Sequence, residues 1–514
     1  MDLLQTNKNQ SLAVLTVVST TLAAYYLFKS NKDNTKATYD EIPVPKSNLP
    51  YVGHLLSLGD LPGRTIAKWH KEYGPILKVK MGVQDYIMIS DPELSHELFV
   101  TKGAVTSDRP FSTYLNLYSY HGRGIAFTNA DRKWKQARTA ALEILAPRKV
   151  DEFSHLIDFE ANNLIKQFIE LTKQKGQLNP LEYIQSATLN VILQTTFGNR
   201  VSSIDDPLSK EILYNVNQHM HYASFSSDIS SYLPILSFLD IIFRKERNLD
   251  HFLKTSYHPC IKKLAKYALE NEKDCFYTRL LGMKEQYGLD GEDILVSVSD
   301  ILLGGSDTSA VTLSWTIAVL SNYPDVQKKI IKEIDEYIAQ HGQLPTFKDR
   351  DQFQYLITVL KEVMRFRPVT AFGVPHVNNQ DVILRNYFLP KGSVLVSSMD
   401  AIHLNPDVYD DPEIFNPDRF ANKTNTLLSS ANGNINNRDQ YNFGWGRRIC
   451  PAIHLAESEM FYILTRMFAH ATIAPPLDKN GNEVPVNIDG AINGLVVHPL
   501  PFEVRFLPRT DALL

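Results

Sequence analysis

Cysteine is scarce in this 514-residue chain: only Cys260, Cys275 and Cys450 occur, and no two have the spacing of a zinc site. That usage fits a reducing compartment with one functional thiol. A charge excess is missing as well. Lysine and arginine number 53 against 57 acidic residues, a net charge of −4 that gives no support to a nucleic-acid partner. No Pro/Gly/Ser-rich linker divides the body and no internal repeat is present. Length alone would suggest roughly three domains, but the 44% hydrophobic composition can bury one large core and the body reads as a single domain. Long apolar runs are also few. Ser11 to Phe28 forms one, followed by Lys29, Lys32 and Lys36 and then by Ile42-Pro-Val-Pro-Lys46. At about 1.5 Å per residue it just spans a hydrocarbon layer, and the lysines behind it favour a cytosolic body. The chain therefore divides into a short segment 1–10, a transmembrane anchor 11–28, a basic and proline-containing linker 29–50 and a main domain 51–514. The competing reading is a cleaved signal peptide, because Thr16, Ser19, Thr20 and Thr21 dilute the run and Ala23-Ala24 is small. Lack of arginine disfavours a mitochondrial presequence.

The most informative residues are Phe443-Gly-Trp-Gly-Arg-Arg-Ile-Cys450. Pro451 reads as a first helical position, with Ile453, Leu455, Ala456, Met460 and Leu464 as the apolar face behind it. A thiol at a helix start meets unpaired N–H groups and the positive dipole end, so Cys450 is expected to be poised as a thiolate. Gly444 and Gly446 permit a tight turn and close approach to a flat ligand. Phe443 could shield the sulfur, and Arg448 could reach an acidic group on the ligand rim. The bland reading is a buried free cysteine after a glycine-rich turn.

This stretch resembles the haem-binding loop of the cytochromes P-450, Phe-x-x-Gly-x-Arg-x-Cys-x-Gly, with Ala452 where the family usually has glycine. The resemblance continues over nearly the whole chain. Asp293 to Ser321 reads as one long helix containing Gly304-Gly-Ser-Asp-Thr308. Two central glycines cost about 1 kcal/mol each against alanine, which leaves two explanations open: close helix packing, or a groove for dioxygen and water. In the groove reading Thr308 donates to the distal oxygen and Asp307 feeds protons, matching the family's Gly-Gly-x-Asp-Thr. Glu362 and Arg365 share a helix face and are similar to the family's Glu-x-x-Arg, with Arg419 of Phe415-Asn-Pro-Asp-Arg-Phe420 as the implied third member of a structural network. Trp134 and Arg138 lie one helical turn apart. The resemblance assigns both to the haem propionates, along with Arg448 and His376. For His376 an ordinary surface histidine remains an equal alternative. Arg132, Lys133 and Lys135 give the same helix a basic outer side, either merely solvated or a docking face for a reductase.

The fold implied is mainly α with small β-sheets, the haem lying between a long distal helix and a proximal cysteine loop. The implied cofactor is heme b (iron protoporphyrin IX) with a cysteine thiolate. The implied activity inserts one oxygen atom of dioxygen into a hydrophobic small molecule such as a lipid, terpenoid, steroid or xenobiotic. Electrons would come from NADPH through a flavoprotein reductase, with cytochrome b5 a further partner. The implied location is the endoplasmic reticulum membrane, one N-terminal anchor holding the catalytic domain in the cytosol. Two rivals stay open, a haem-thiolate isomerase or dehydratase acting without dioxygen and a non-catalytic haem-binding protein; the first commonly lacks the acid and alcohol that Asp307 and Thr308 supply. Residues 111–125, 302–306, 369–374 and 492–497 are implied to face substrate, with Phe111, Tyr114, Leu117, Tyr118, Tyr120 and Phe372 as an apolar lining; the alternative is that several of these aromatics are core. Helices are expected at Glu152 to Leu171 and Pro324 to Gln340, strands at Ile76 to Lys80, Tyr86 to Ser90, Ser393 to Ser397 and Phe502 to Phe506, and a mobile surface insertion at Asn422 to Gln440.

Overall fold

The computed structural model describes residues 39–224 and 229–512. The expected anchor, 11–28, lies outside the described residues. Residues 39–41 and 383–389 belong to a small unit in which Tyr39 stacks on Phe388, ring centroids 5.4 Å apart, and the Asp40 amide donates to the Asn386 carbonyl at 2.8 Å. Residues 42–382 and 390–512 form the large unit, which carries every element named below.

The helices that position the site are α1 (Pro62–Tyr73), α2 (Arg132–Ile144), α3 (Ser154–Lys175), α4 (Leu181–Phe197), α5 (Pro207–Tyr222), α6 (Gly291–Ser321), α7 (Pro324–His341), α8 (Gln354–Phe366) and α9 (Ile453–His470). A four-stranded sheet has the order β1 (Ile76–Met81), β2 (Gln84–Ile89), β4 (Val394–Ser397), β3 (His376–Val377). β1 runs antiparallel to β2 with Ile76 opposite Ile89, β4 runs parallel to β2 with Tyr86 opposite Val394, and β3 is antiparallel to β4. Two of the smaller sheets are antiparallel pairs: β5 (Ala471–Ala474) with β8 (Arg505–Pro508), and β6 (Ala491–Ile492) with β7 (His498–Pro499). The architecture is mainly α with small sheets, as the sequence implies.

Local chemistry explains the elements. The Asp131 carboxylate accepts the Trp134 amide at 2.8 Å and starts α2, whose Trp134, Ala137, Arg138 and Ala141 fall on one buried face at helical spacing. The Asp290 carboxylate accepts the amides of Glu292 and Asp293, while the Asp293 carboxylate takes the Asp290 amide at 3.0 Å. This reciprocal cap begins α6 two residues before the expected start. The 31 residues of α6 are apolar on nearly every side; the helix is long and apolar enough to cross a membrane, but most of it is buried, as befits a core helix packed along α4.

Two sets of buried charges hold the layers around α8. Arg365 donates to both Glu362 oxygens, at 2.7 and 2.8 Å, and to the carbonyls of His403 and Pro412. Glu362 also accepts the Asn416 amide at 2.9 Å and Arg419 Nε at 3.4 Å. The second set corrects the reading of Asn422 to Gln440 as a mobile insertion. Lys361, fully buried, donates to the Asp439 carboxylate at 3.0 Å, to Ser430 Oγ at 2.7 Å and to the Lys423 carbonyl at 2.5 Å. Arg350 reaches the Thr424 and Asn425 carbonyls at 2.8 Å, and a short helix, Leu427–Asn432, buries Leu427 and Ala431. Asparagine and serine dominate the segment because they satisfy backbone turns, and interior cations hold it down.

Removing one partner of a dry ion pair strands the other charge. Glu362→Ala is expected to cost about 3–5 kcal/mol, measured as a lower urea midpoint at unchanged slope; a loss under about 1 kcal/mol would mean that Arg365 had found another counter-charge.

Candidate active site

α2, α4, α5, α6, the loop at 125–127, the stretch 369–376 and the Cys450 loop converge on a mostly apolar cavity of about 340 Å³. The Cys450 amide donates to the Phe443 carbonyl at 2.8 Å and closes the loop. Gly444 (φ +77°) opens onto the cavity. Gly446 (φ +51°) has a different reason: a Cβ there would stand 2.5 Å from the Phe99 carbonyl oxygen, so the close approach it permits is to protein backbone, not to a flat ligand. Pro451 and Ala452 form a turn, and α9 begins only at Ile453. Cys450 therefore stands ahead of the helix cap and not at the first turn. Cys450 lines the cavity; burial pushes its thiol up, while the Ala452 amide and the Arg138 charge pull it down by less.

Cations gather on one side. Arg138 donates to the Ile449 carbonyl, and its Nε is buried without a partner on the cavity wall. Arg448 lends its N–H groups to the carbonyls of Ser107, Ile125 and Thr128, and burial pulls its pKa down to about 9. His376 Nδ1 donates to the Thr106 carbonyl at 2.7 Å, so the neutral ring offers Nε2 as an acceptor; burial holds its pKa well below the usual histidine value. Trp134 differs from expectation. Its indole N–H is engaged by the Ile125 carbonyl at 3.0 Å, its ring lies off the cavity wall, and Arg448 stacks over it at 4.2 Å. Arg109, which we did not expect here, lines the cavity and donates to the carbonyls of Ala126, Val374 and Pro375. Burial, then Arg448 and Arg138, lower its pKa strongly. A lone arginine in Ser107-Asp-Arg-Pro110 carries no local signature that would have pointed to it.

On α6 the two glycines separate the two explanations. A Cβ on Gly305 would lie 2.6 Å from Ile192 Cδ1 of α4, whereas one on Gly304 would meet nothing within 4 Å. Gly305 serves helix packing, and Gly304 leaves open space at the cavity. Thr308 lines the cavity, its hydroxyl donating to the Gly304 carbonyl at 2.7 Å. Asp307 faces elsewhere: Gln185 Nε2 donates to it at 3.0 Å and His498 Nε2 stands 3.3 Å away. His498, half-exposed on β7, was not expected from the sequence.

Of the four expected lining segments, 302–306, 369–374 and 492–497 reach the cavity, while 111–125 is largely replaced. Phe111 is exposed, Tyr114 and Tyr118 are core, and only Ile125 of residues 111–125 reaches the cavity. Thr188, Ile192, His219 and Met220 take their place, from helices with no motif to mark them; Phe372, Leu303 and Val496 line it as implied. Asp300 pins the roof loop. Tyr118 donates to its Oδ1 at 2.8 Å, and the Ile125 and Ala126 amides to its Oδ2 at 2.7 and 3.0 Å. Arg132, Lys133 and Lys135 are exposed.

The Cytochrome P-450 family model matches residues 43–506. The chain belongs to the cytochrome P-450 family. It is 28% identical to a cytochrome P-450 monooxygenase of Penicillium roqueforti over 86% of this chain and 91% of that one, and 27% identical to one of Postia placenta over 97% and 94%. A cytochrome P-450 of Arabidopsis thaliana is 27% identical over 85% and 87%. A solved zebra fish cytochrome P-450 structure with abiraterone superposes with a TM-score of 0.69 at 23% identity, covering 87% of this chain and all of that one, and so shares the fold. The protein is a P-450 monooxygenase. Membership implies a haem with a cysteine thiolate, dioxygen and a redox partner. The donor set suits that group: one thiol on an apolar wall, beside guanidinium groups that include an orphaned Nε, fits a flat ligand with acidic edges.

The glycines give a paired test. Gly305→Ala is expected to destabilise by about 1–3 kcal/mol through overpacking on Ile192. Gly304→Ala should instead gain up to about 1 kcal/mol of helix stability while weakening ligand binding in the cavity. Thermal melts of the two variants should move in opposite directions.

Proposed function

We propose that Cys450 is the thiolate ligand of heme b and that the protein oxygenates an apolar small molecule held in the cavity beside Thr308. One observation carries the reading: a single apolar cavity is lined by the Cys450 sulfur, a cluster of buried guanidinium groups and the Thr308 face of α6. When bound, the haem supplies dioxygen activation and insertion of one oxygen atom into substrate. Arg138, through its free Nε, takes one propionate, with Arg109 and Arg448 supplying positive charge beside it; His376 accepts a carboxylate only once it is protonated. Phe443 covers the sulfur. Trp134 steadies Arg448 by stacking. Glu362, Arg365 and Arg419 hold the proximal side rigid. Apolar walls exclude water and favour a hydrophobic substrate.

Proton supply falls to Asp307 and Thr308. The Asp307 carboxylate collects protons on the His498 side, and the Thr308 hydroxyl, on the next residue of α6, delivers them at the cavity. Retention of this acid and alcohol favours oxygenation over isomerase chemistry. Electrons come from NADPH through a flavoprotein reductase, with cytochrome b5 as a second donor, and the exposed Arg132, Lys133 and Lys135 on α2 give an acidic partner a docking face. An N-terminal anchor at 11–28 ties the catalytic domain 51–514 to the cytosolic side of the endoplasmic reticulum.

Cys450→Ala is expected to abolish the carbon monoxide difference band diagnostic of thiolate ligation; persistence of the band would remove Cys450 as ligand. Thr308→Ala should keep haem but lower product formed per dioxygen consumed by about 10-fold or more, the balance appearing as peroxide in reductase-coupled assays. Unchanged coupling would overturn the proton role.

A further inference from the structure

The roof loop is held in a backbone that its sequence does not favour. Tyr120 (φ +45°) and His121 (φ +64°) lie in the left-handed region, which side chains with a Cβ rarely adopt. At Gly124 (φ +90°) the residue suits the place, because a Cβ would stand 2.6 Å from Asp300 Oδ2. Tyr120 and His121 have no such freedom, and a conformation of this kind persists only while its surroundings enforce it. Two holds are visible, both on α6. On the inside, Asp300 Oδ2 accepts the amides of Ile125 and Ala126, two residues of the cavity wall. On the outside, Arg123 donates to the carboxylates of Asp290 and Asp293, the latter at 2.8 Å, and stands 3.2 Å from that of Glu292.

The two holds differ in kind. Asp300 is buried, whereas the Asp290 and Glu292 side chains are 50% and 53% exposed, where dissolved ions screen and compete. Burial pushes the Asp290 carboxyl up, but hydrogen bonds from Arg123 and from backbone amides outweigh it and bring the pKa down to about 2. The outer clasp is therefore charged at ordinary pH and answers to salt, not to acid. Asp290 and Asp293 are also the reciprocal cap of α6, so the first turn of that helix and the roof loop share one set of charges. At its other end the loop rests on an uncharged contact. Tyr120 stacks on His258 at 4.3 Å between centroids, and burial pulls the His258 pKa down to about 4.

We propose that the Arg123 clasp is an ionic latch on the roof loop: when it opens, residues 119–127 relax away from α6, the Asp300 hold gives way, and the cavity is unroofed to a bulky ligand. The left-handed Tyr120 and His121 bias the loop toward opening, and their stack on His258 serves as the hinge. Asp293 and Asp300 are seven residues apart, about 10 Å along the helix, so release at the outer point is felt at the inner one only through the loop itself. Entry and exit of large molecules are then paced by the latch and not by their affinity. The inference rests on the oxygenation reading above and adds how access to that site is regulated.

The test uses full-length, haem-loaded protein, with clotrimazole as a bulky ligand and imidazole as a small one. Stopped-flow absorbance follows binding, and amide hydrogen exchange follows the loop. Arg123→Gln is expected to speed clotrimazole association and dissociation alike by about fivefold, leaving its dissociation constant within about twofold and the imidazole rates unchanged. Exchange at Ile125 and Ala126, whose amides are bonded to Asp300, should quicken by a similar factor. Asp290→Asn removes one charge of the clasp but keeps a capping side chain on α6, and should give a smaller change in the same direction. Potassium chloride at about 0.5 M should reproduce the effect in the wild type and add nothing in Arg123→Gln. Unaltered exchange at Ile125 and Ala126 in both variants, equal acceleration of imidazole, or a change confined to dissociation would overturn the proposal. A chain that binds no haem would instead refute the oxygenation reading, since hydrogen exchange still reports the latch.

Discussion

Arg109, Arg138 and Arg448 are held against one mostly apolar cavity by backbone carbonyls, which solvate a guanidinium but do not neutralise it. Burial weakens the hold of each on its proton, and Arg448 and Arg138 weaken Arg109 further. A loop, a helix and the cysteine loop from distant parts of the chain meet to place these groups. A dianionic ligand edge would relieve the repulsion, so binding the ligand and completing the fold are coupled events. Arg138 stands at the junction: its charge pulls the Cys450 thiol toward its anion while its Nε stays free at the cavity wall.

α6 forms the other half of the arrangement. Gly305 lets α4 approach closely enough for Ile192 to reach the cavity wall, and Thr188 Oγ1 donates across the same interface to the Ser306 carbonyl at 3.1 Å. One turn of helix thus does two incompatible-looking things, close packing on one side and open space on the other, which is why it needs two adjacent glycines. Further toward its N-terminus α6 holds the roof loop, through Asp300 and through Arg123, which reaches Asp293 at 2.8 Å.

Where a residue's surroundings are set by sequence neighbours, the sequence was readable. The extent of α6 and α7, the strands near 76–90 and the Glu362–Arg365 spacing all follow from periodicity and caps. Phe502 to Phe506 was displaced to Arg505–Pro508 because its pairing with β5 is a tertiary fact. The cavity lining was less legible. Tyr114 and Tyr118 look like pocket aromatics, yet their hydroxyls are engaged by His219 and Asp300 and their rings belong to the core. Arg109 meets the Val374 and Pro375 carbonyls, and His219 the Tyr114 hydroxyl, across more than a hundred residues of chain, and no local pattern encodes that. The helix start after Cys450 was misjudged by two residues because a proline suits a turn as well as a first helical position.

Lys361 shows how far an interior charge can reach. Its ammonium is fully enclosed, and the groups that receive its protons come from residues 423, 430 and 439, spread over almost the whole of a polar, asparagine-rich stretch that resembles decoration. Such a stretch is constrained in span: shorten it, and an amine deep in the protein loses the oxygens it was folded around. Its length is thereby set from the inside, by a helix some seventy residues upstream.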